Sequence, residues 1–387
     1  MTVTADDAQR LIHEGVAAMQ RRDPRAARDA FAAACDCPAI APPLLPLAQA
    51  CHALGDRAGE ETALDRLLAI EPRNLRALLM KGEARIAAGD DRAATSFLNV
   101  AIKSADAQQP PVLAAQLVRA QQWLAGAASR YETHLRGRLD GAGLPPSSLQ
   151  GRVGAAMAML SGRRALYLQQ PSSFYFPGLP QIDWYDRTDF AWAEALEAET
   201  DAIHHELAAV MADDRDFPAY VQGEGDRPRS RHTLLDDPSW GAFHLLKGGL
   251  PVPGNADRCP RTIAALGQAP MPAIRGRSPM ALFSLLKPGT HIRPHHGLLN
   301  TRLICHLPLI VPPGCAMRVG AETREWQRGK LTIFDDSFEH EAWNHGRSTR
   351  VILLFEIWRP EISAEERAAL TVLFEAIGDY GGFGEED

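Results

Sequence analysis

The sequence has no low-complexity block, no basic stripe and no apolar run long enough to cross a bilayer. Each absence closes off a class of protein. Across 387 residues the acidic side chains outnumber the basic ones 48 to 41, a net charge of -7. That balance offers nothing aimed at phosphates and argues against a nucleic-acid partner. The longest apolar stretch, around Val351 to Trp358, is interrupted by Glu356. It falls far short of the ~20 residues a membrane helix needs, so no integral membrane segment is expected. The opening, MTVTADDAQRLIHEG, carries two aspartates where a secretory leader needs positive charge and an apolar core, so none is expected. Cysteine is sparse: Cys35, Cys37, Cys51, Cys259, Cys305 and Cys315, with no Cys-x-x-Cys among them. Cys35, Cys37 and Cys51 are near enough to suggest a metal cluster, but they read better as apolar cysteines buried on small-residue helices. This usage fits a reducing cytoplasm.

What is present falls into two halves, as the length alone suggests. Residues 1 to about 140 are rich in Ala, Leu, Arg, Asp and Glu, with apolar residues at helical spacing. Short turns recur at Arg22-Asp23, Gly55-Asp56 and Gly89-Asp90, placing the aspartates 33 and 34 residues apart. Aligned on those turns, Gly15, Ala48 and Gly82 share one small-residue position, Ala27 and Ala94 a second, and Phe31, Leu64 and Leu98 a third. The period resembles that of tetratricopeptide (TPR) helix-turn-helix repeats, although Glu60 stands where alanine is usual. A long amphipathic helix from Pro111 to Leu139 follows, then a linker at Gly141 to Ser148 and a helix from about Leu149 to Leu166. A further helix is expected from Phe190 to Met211, with His204 and His205 on different faces and hence no shared metal.

From about Met280 short β-branched and aromatic runs alternate with Pro/Gly turns. Strands are expected at ALFSLL, THIRPH, RLICHLPLIV, AMRVG, KLTIF, HEAW and RVILLFEIW. Turns fall at Lys287-Pro288-Gly289, Pro312-Pro313-Gly314, Gln327-Arg328-Gly329 and Asn344-His345-Gly346. Even spacing of many short strands points to an antiparallel sandwich or jelly roll. The expected organisation is α+β: TPR-like repeats over 1–140, a linker and connecting helix over 141–165, and a double-stranded β-helix domain over 166–387.

Three histidines are expected at strand ends in this barrel: His295, His306 and His340. Jelly-roll oxygenases hold iron(II) with two histidines and commonly one carboxylate, and keep the other coordination positions for cosubstrate and oxygen. The ligands usually run as His-x-Asp/Glu and a histidine about 40 to 60 residues on, with a cation about ten residues later for an anionic cosubstrate. Here His295 and His340 stand 45 apart and Arg350 follows ten after His340. The carboxylate is missing, because Gly297 stands two after His295. Alone, Arg350 would read as a surface arginine at a strand end and His306 as a core histidine bonded to backbone. At matching offsets to His295 and His340, both read as functional. His291 and His296 read as non-ligands, and Asp335 as part of a solvated turn.

These residues sit in SLLKPGTHIRPHHG, NTRLICHLPLIVPPGC, FDDSFEHEAWN and FEIWRPE, which resemble the aspartyl/asparaginyl β-hydroxylases over roughly Phe174 to Ile362. In that family a glycine stands at the carboxylate position, so Gly297 matches its pattern. The resemblance implies an iron(II)- and 2-oxoglutarate-dependent dioxygenase using O2, with His295 and His340 as iron ligands. It implies that Arg350 and Ser284 hold the far carboxylate of 2-oxoglutarate, with His306 at its metal-proximal end. Arg302 would lie near the substrate carboxylate, and Asp336 would hydrogen-bond an iron-bound water. Animal members have a second arginine where this chain has Ile304, which bears on an acidic substrate. Secretory-pathway members carry a disulfide where this chain has Cys259 alone.

The expected reaction is therefore hydroxylation of an unactivated C–H, the β-carbon of Asp or Asn in a peptide or protein, with the repeats recruiting it. One alternative within enzymes is a lipid acyl chain or a free amino acid as substrate. Another, of a different class, is a TPR interaction protein with an inactive barrel, which the intact His295, His340, Arg350 and Ser284 disfavour. A cupin-type zinc enzyme is disfavoured by Arg350.

Overall fold

The computed structural model describes residues 3–106, 108–144, 151–213, 217–223 and 233–380. The chain divides into two units, Met1–Arg164 and Ala165–Asp387. Among the described residues no helix is long and apolar enough to cross a membrane.

The first unit is helical: α1 (Ala5–Gln20), α2 (Pro24–Ala34), α3 (Leu44–Leu54), α4 (Arg57–Ile70), α5 (Leu75–Ala87), α6 (Asp91–Ser104), α7 (Pro111–Gly141) and α8 (Gly151–Leu160). Helices α1/α2, α3/α4 and α5/α6 pack as successive TPR-like hairpins. The repeated aspartates explain the period. Asp23, Asp56 and Asp90 each cap the second helix of a hairpin, accepting from the N–H of Ala26, Gly59 and Ala93. Just before each cap the backbone turns left-handed, at Arg22 (φ 62°), Gly55 (φ 72°) and Gly89 (φ 72°). The small-residue position is set by close approach: a Cβ on Gly15 would lie 2.6 Å from the Phe31 ring, and one on Gly82 2.4 Å from Leu98. Ala48 and Leu64 fill the matching seam of the middle hairpin. Glu60 is buried there and hydrogen-bonds His52 Nδ1 at 3.0 Å. Cys37 and Cys51 are buried and Cys35 half-buried, all free. Helix α7 extends to Gly141, so the expected linker begins inside it, and residues 145–148 of that linker lie outside the described residues.

The second unit is an antiparallel sandwich. Its strands are β1 (Trp184–Tyr185), β2 (Trp240–Lys247), β3 (Leu250–Pro251), β4 (Ala281–Leu286), β5 (His291–His295), β6 (Arg302–Ile310), β7 (Cys315–Val319), β8 (Glu322–Glu325), β9 (Thr332–Phe334), β10 (His340–Asn344) and β11 (Arg350–Trp358). One sheet runs β1-β9-β6-β11-β4-β2-β3 and the other β5-β10-β7-β8. Helices α9 (Ala193–Ala198), α10 (Thr200–Asp213), α11 (Pro260–Leu266) and α12 (Ala364–Tyr380) flank them. The single helix expected from Phe190 to Met211 is thus two, broken at Glu199, whose N–H bonds the Leu196 carbonyl.

Strands β4, β6 and β11 are buried on both faces, so they read as near-continuous apolar runs. Phe283, Leu303, Cys305, Val351, Leu353 and Phe355 share one core with Leu196, Ile203 and Leu207 of the helices. Leu282, Ile304, Ile352 and Leu354 pack instead with Ile292, Met317 and Ala342 of the smaller sheet. Period-two alternation therefore sends Ser284, Arg302, His306, Arg350 and Glu356 into the space between the sheets.

Candidate active site

His295 and His340 face each other across β5 and β10 as direct register partners, with ring centroids 4.1 Å apart. Simple alternation along β5 does not produce this pair. Ile292 lies opposite Ala342, yet His295, three residues on, lies opposite His340, two residues back. The extra residue is a β-bulge, which re-aims His295 toward its partner. Each ring is then fixed by its own strand: His295 Nδ1 bonds the Arg293 carbonyl at 2.8 Å, and His340 Nδ1 the Phe338 carbonyl at 3.0 Å. Because a carbonyl only accepts, each Nδ1 carries the proton and each Nε2 the lone pair, the tautomer a metal ligand needs. Burial, with His295 beside it, holds His340 well below the usual imidazole range, so it stays neutral.

Gly297 explains itself here. A Cβ on it would lie 2.2 Å from Asp336 Oδ2, so the carboxylate of Asp336 occupies the place a side chain at 297 would take. Gly297 N–H also donates to the Asp336 carbonyl at 2.7 Å. Among the described residues no group of three or more His, Cys, Asp or Glu side chains is set to hold a metal. The donor pair is two imidazoles, with Asp336 close by.

Across the pocket Arg350, at the start of β11, is 1% exposed. Its NH1 donates to the Ser284 carbonyl at 3.2 Å and to Ser284 Oγ at 3.4 Å, and its guanidinium stacks 4.7 Å from the Trp326 ring centre. Among the described residues its Nε has no hydrogen-bond partner and no acidic side chain pairs with it. Burial pulls this guanidinium down to about 10. A buried cation without an anion is costly, so the geometry is that of a receptor for an anionic ligand. Ser284 Oγ already accepts from Trp240 Nε1 at 3.2 Å and from Arg350, which leaves its own O–H to donate elsewhere. His306 lies inside β6 and not at a strand end, and its Nδ1 also lacks a partner among the described residues. Burial, then the charge of Arg350, keeps His306 well below its ordinary pKa.

The structure therefore brings six of the seven expected residues to one pocket wall: Ser284, His295, His306, Asp336, His340 and Arg350. The seventh, Arg302, is there too but is engaged, donating to Glu356 at 2.8 Å and to Asp336 at 3.4 Å. The remaining wall is largely apolar, with Ile292, Ile304, Met317, Phe334, Ile352 and Leu354. His291 bonds Glu341 at 2.7 Å and lies outside, while His296 lines the pocket. His204 and His205 stay on α10, one half-buried and one exposed. Asp335 is a correction. It is fully buried, paired at 2.6 Å with the equally buried Arg359 and bonded by Ser337 and Gln169. Burial outweighs Arg359 and raises its carboxyl to about 6. Trp240, Trp326 and Glu356 are absent from the expected set. Only the interruption of an apolar run by Glu356 signals any of them in sequence.

The Aspartyl/Asparaginyl beta-hydroxylase family model matches residues 197–360, the span that holds every residue of this pocket. That stretch is similar to the aspartyl/asparaginyl β-hydroxylases. Aspartate beta-hydroxylase domain-containing protein 2 of Xenopus tropicalis is 31% identical over 213 residues, 54% of this chain and 55% of that protein. Ornithine lipid ester-linked acyl 2-hydroxylase of Rhizobium tropici is 37% identical over 179 residues, 46% of this chain and 60% of that one. Human Aspartyl/asparaginyl beta-hydroxylase is 31% identical over 208 residues, 53% of this chain but 26% of that protein. The chain thus spans little more than half the length of these hydroxylases or less.

Proposed function

We propose that this chain is an iron(II)- and 2-oxoglutarate-dependent dioxygenase that hydroxylates an unactivated C–H bond. The observation that carries the reading is the pairing of two features in one pocket. Two imidazoles are each held through Nδ1, which leaves the lone pair on Nε2, and no acid among the described residues pairs with a buried guanidinium. His295 and His340 would hold the iron through Nε2. Arg350 and the hydroxyl of Ser284 would receive the far carboxylate of 2-oxoglutarate, with His306 toward its other end. When bound, these groups supply oxygen activation: O2 is consumed, 2-oxoglutarate becomes succinate and CO2, and the substrate gains a hydroxyl. The protein's part is to orient, to present neutral imidazoles and to exclude water with an apolar wall. An inactive barrel would have no use for an unpaired buried cation, which supports an enzyme over an interaction module. The free cysteines fit a cytoplasmic setting.

For the substrate we propose the β-carbon of Asp or Asn in a peptide or protein, in keeping with the family's name. TPR-like arrays offer a concave surface suited to extended peptides, which supports recruitment by the first unit. A specific observation favours a second reading. Ile304 faces the pocket, and Arg302 is bonded to two acids. An apolar substrate such as an acyl chain meets such a wall well, and the Rhizobium relative is named an acyl hydroxylase. The test is incubation with iron(II), 2-oxoglutarate and either a peptide library or a lipid extract, followed by mass spectrometry. Gain of one oxygen by a peptide or by a lipid decides between the readings. Failure of the purified protein to bind 2-oxoglutarate in the presence of metal sinks both.

A further inference from the structure

Glu356 lies on the inward face of β11, six residues after Arg350, and is 1% exposed. Both its oxygens are committed. Oε1 accepts the Met280 backbone N–H at 3.0 Å, and Oε2 accepts Arg302 NH1 at 2.8 Å. The other terminal nitrogen of Arg302 donates to Asp336 Oδ2 at 3.4 Å. Asp336 in turn is boxed in, because Gly297 leaves room for its carboxylate and for nothing more. We propose that Glu356 is a positioning residue which, by orienting Arg302, holds the Asp336 carboxylate beside the His295/His340 pair. This rests on the metal-site reading above.

The argument is geometric. Asp336 cannot choose its place by itself: Gly297 bounds one side, and the Arg302 guanidinium meets its Oδ2 on another. Arg302 is a rigid fork, so whatever fixes one terminal nitrogen aims the other. Of these two bonds the shorter, to Glu356, is therefore the one that sets the direction. Glu356 is itself pinned to the backbone of Met280, which lines the same pocket. A relay thus runs from main chain to Glu356 to Arg302 to Asp336 Oδ2, in the pocket that also holds the donor pair. Carboxylates and their partners around a metal's direct ligands commonly tune its affinity in this way.

The experiment is calorimetric titration of the full chain with manganese(II), an oxygen-insensitive probe, using wild type, Glu356→Gln, Asp336→Asn and the double variant. Glu356→Gln is expected to weaken manganese binding roughly ten-fold or more. Combined with Asp336→Asn it should add nothing, since both act on one oxygen. Should Glu356→Gln fold poorly, the apolar pair Arg302→Met with Glu356→Met replaces both ions of the shorter pair and takes from Asp336 only its Arg302 bond. That variant is expected to show the affinity of Asp336→Asn. Wild-type affinity in any folded Glu356 variant, or additive losses in the double variant, would overturn the proposal. Absence of manganese binding by the wild type would instead overturn the metal-site reading, and the proposal with it.

Discussion

Replacing Gly297 by alanine adds a single methyl group, yet the structure makes it a severe change. The new Cβ would sit 2.2 Å from Asp336 Oδ2 and 2.3 Å from its Cγ. Relief cannot come from the main chain, because the Gly297 N–H is bonded to the Asp336 carbonyl at 2.7 Å. The Asp336 side chain must swing away and lose its bond from Arg302. Overpacking costs about 1–3 kcal/mol, and a lost hydrogen bond to a charged group about 1.5–3 kcal/mol. Some relaxation will share these terms, so a net loss of about 2–4 kcal/mol is expected. For a domain of this size that lowers the melting temperature by roughly 5–15 °C. Differential scanning calorimetry on Gly297→Ala measures it. The decisive control is the pair Gly297→Ala with Asp336→Ala, which removes the obstructing carboxylate. It should melt higher than Gly297→Ala alone. A Gly297→Ala protein as stable as wild type, or a double variant no better than the single, would refute the steric account. Gly297→Asp should suffer the same collision, so restoring the usual ligand acid here would not simply add a ligand.

Arg350→Met should stabilise the ligand-free barrel, because a buried unpaired cation is replaced by apolar volume. It should also weaken 2-oxoglutarate binding by a factor on the order of 10² to 10⁴, from about 3–5 kcal/mol of lost charge pairing. Thermal shift with and without 2-oxoglutarate reads both effects, and an unchanged ligand-induced shift moves the anion site elsewhere. Arg359→Leu strips Asp335 of its cation and should raise a folded-state carboxyl already near 6 further above its unfolded value of 3.8. A raised acid pKa means the folded form holds the extra proton, so this variant should be more stable at pH 5 than at pH 7.5. Urea unfolding at the two pH values checks this, and a flat profile contradicts it. Removing residues 1–144 should leave metal and 2-oxoglutarate binding intact while lowering hydroxylation of a peptide substrate. Loss of cosubstrate binding in a folded truncation would make the repeats part of the catalytic fold.

The helical half was legible because its period is written in chemistry that repeats locally: Asp23, Asp56 and Asp90 cap helices, and Gly15 and Gly82 sit under Phe31 and Leu98. In the barrel, strands β4 to β7 and β9 to β11 are announced by turn residues such as Gly289 (φ 77°) and Gly314 (φ 88°). β2 (WGAFHLLK) is missing from the expected strands, and Trp240 with it, although Asp237-Pro238-Ser239 before it and Gly248-Gly249 after it are turn signals of the same kind. His295 is a harder case. Strict alternation from Ile292 predicts inward positions at 294 and 296, so His296 is favoured over His295. A bulge reverses that choice, and a bulge is a pairing event that one strand's sequence does not display. Asp335 misleads for a related reason. An Asp-Asp-Ser run looks like a solvated turn until Arg359, distant in sequence, is seen to close over it. Glu356 reads only as a break in an apolar run, because its partner lies on another strand.

The same strand shows why the pocket can carry so many ionic groups inside a packed sandwich. On β11 the residues 351, 353, 355 and 357 join the helix-side core, while 350, 352, 354 and 356 alternate with them on the other face. A slip of one residue would press Arg350 and Glu356 into the helices and turn four apolar side chains toward the pocket. Both faces penalise that slip, and the paired strands β4 and β6 carry the same alternation with Ser284, Arg302 and His306. Register here is therefore specified twice over, once by burying hydrocarbon and once by matching charge. A site assembled on such a register inherits the rigidity of the core. Its costly unpaired cation, Arg350, can then be tolerated in place and not relieved by a local shift.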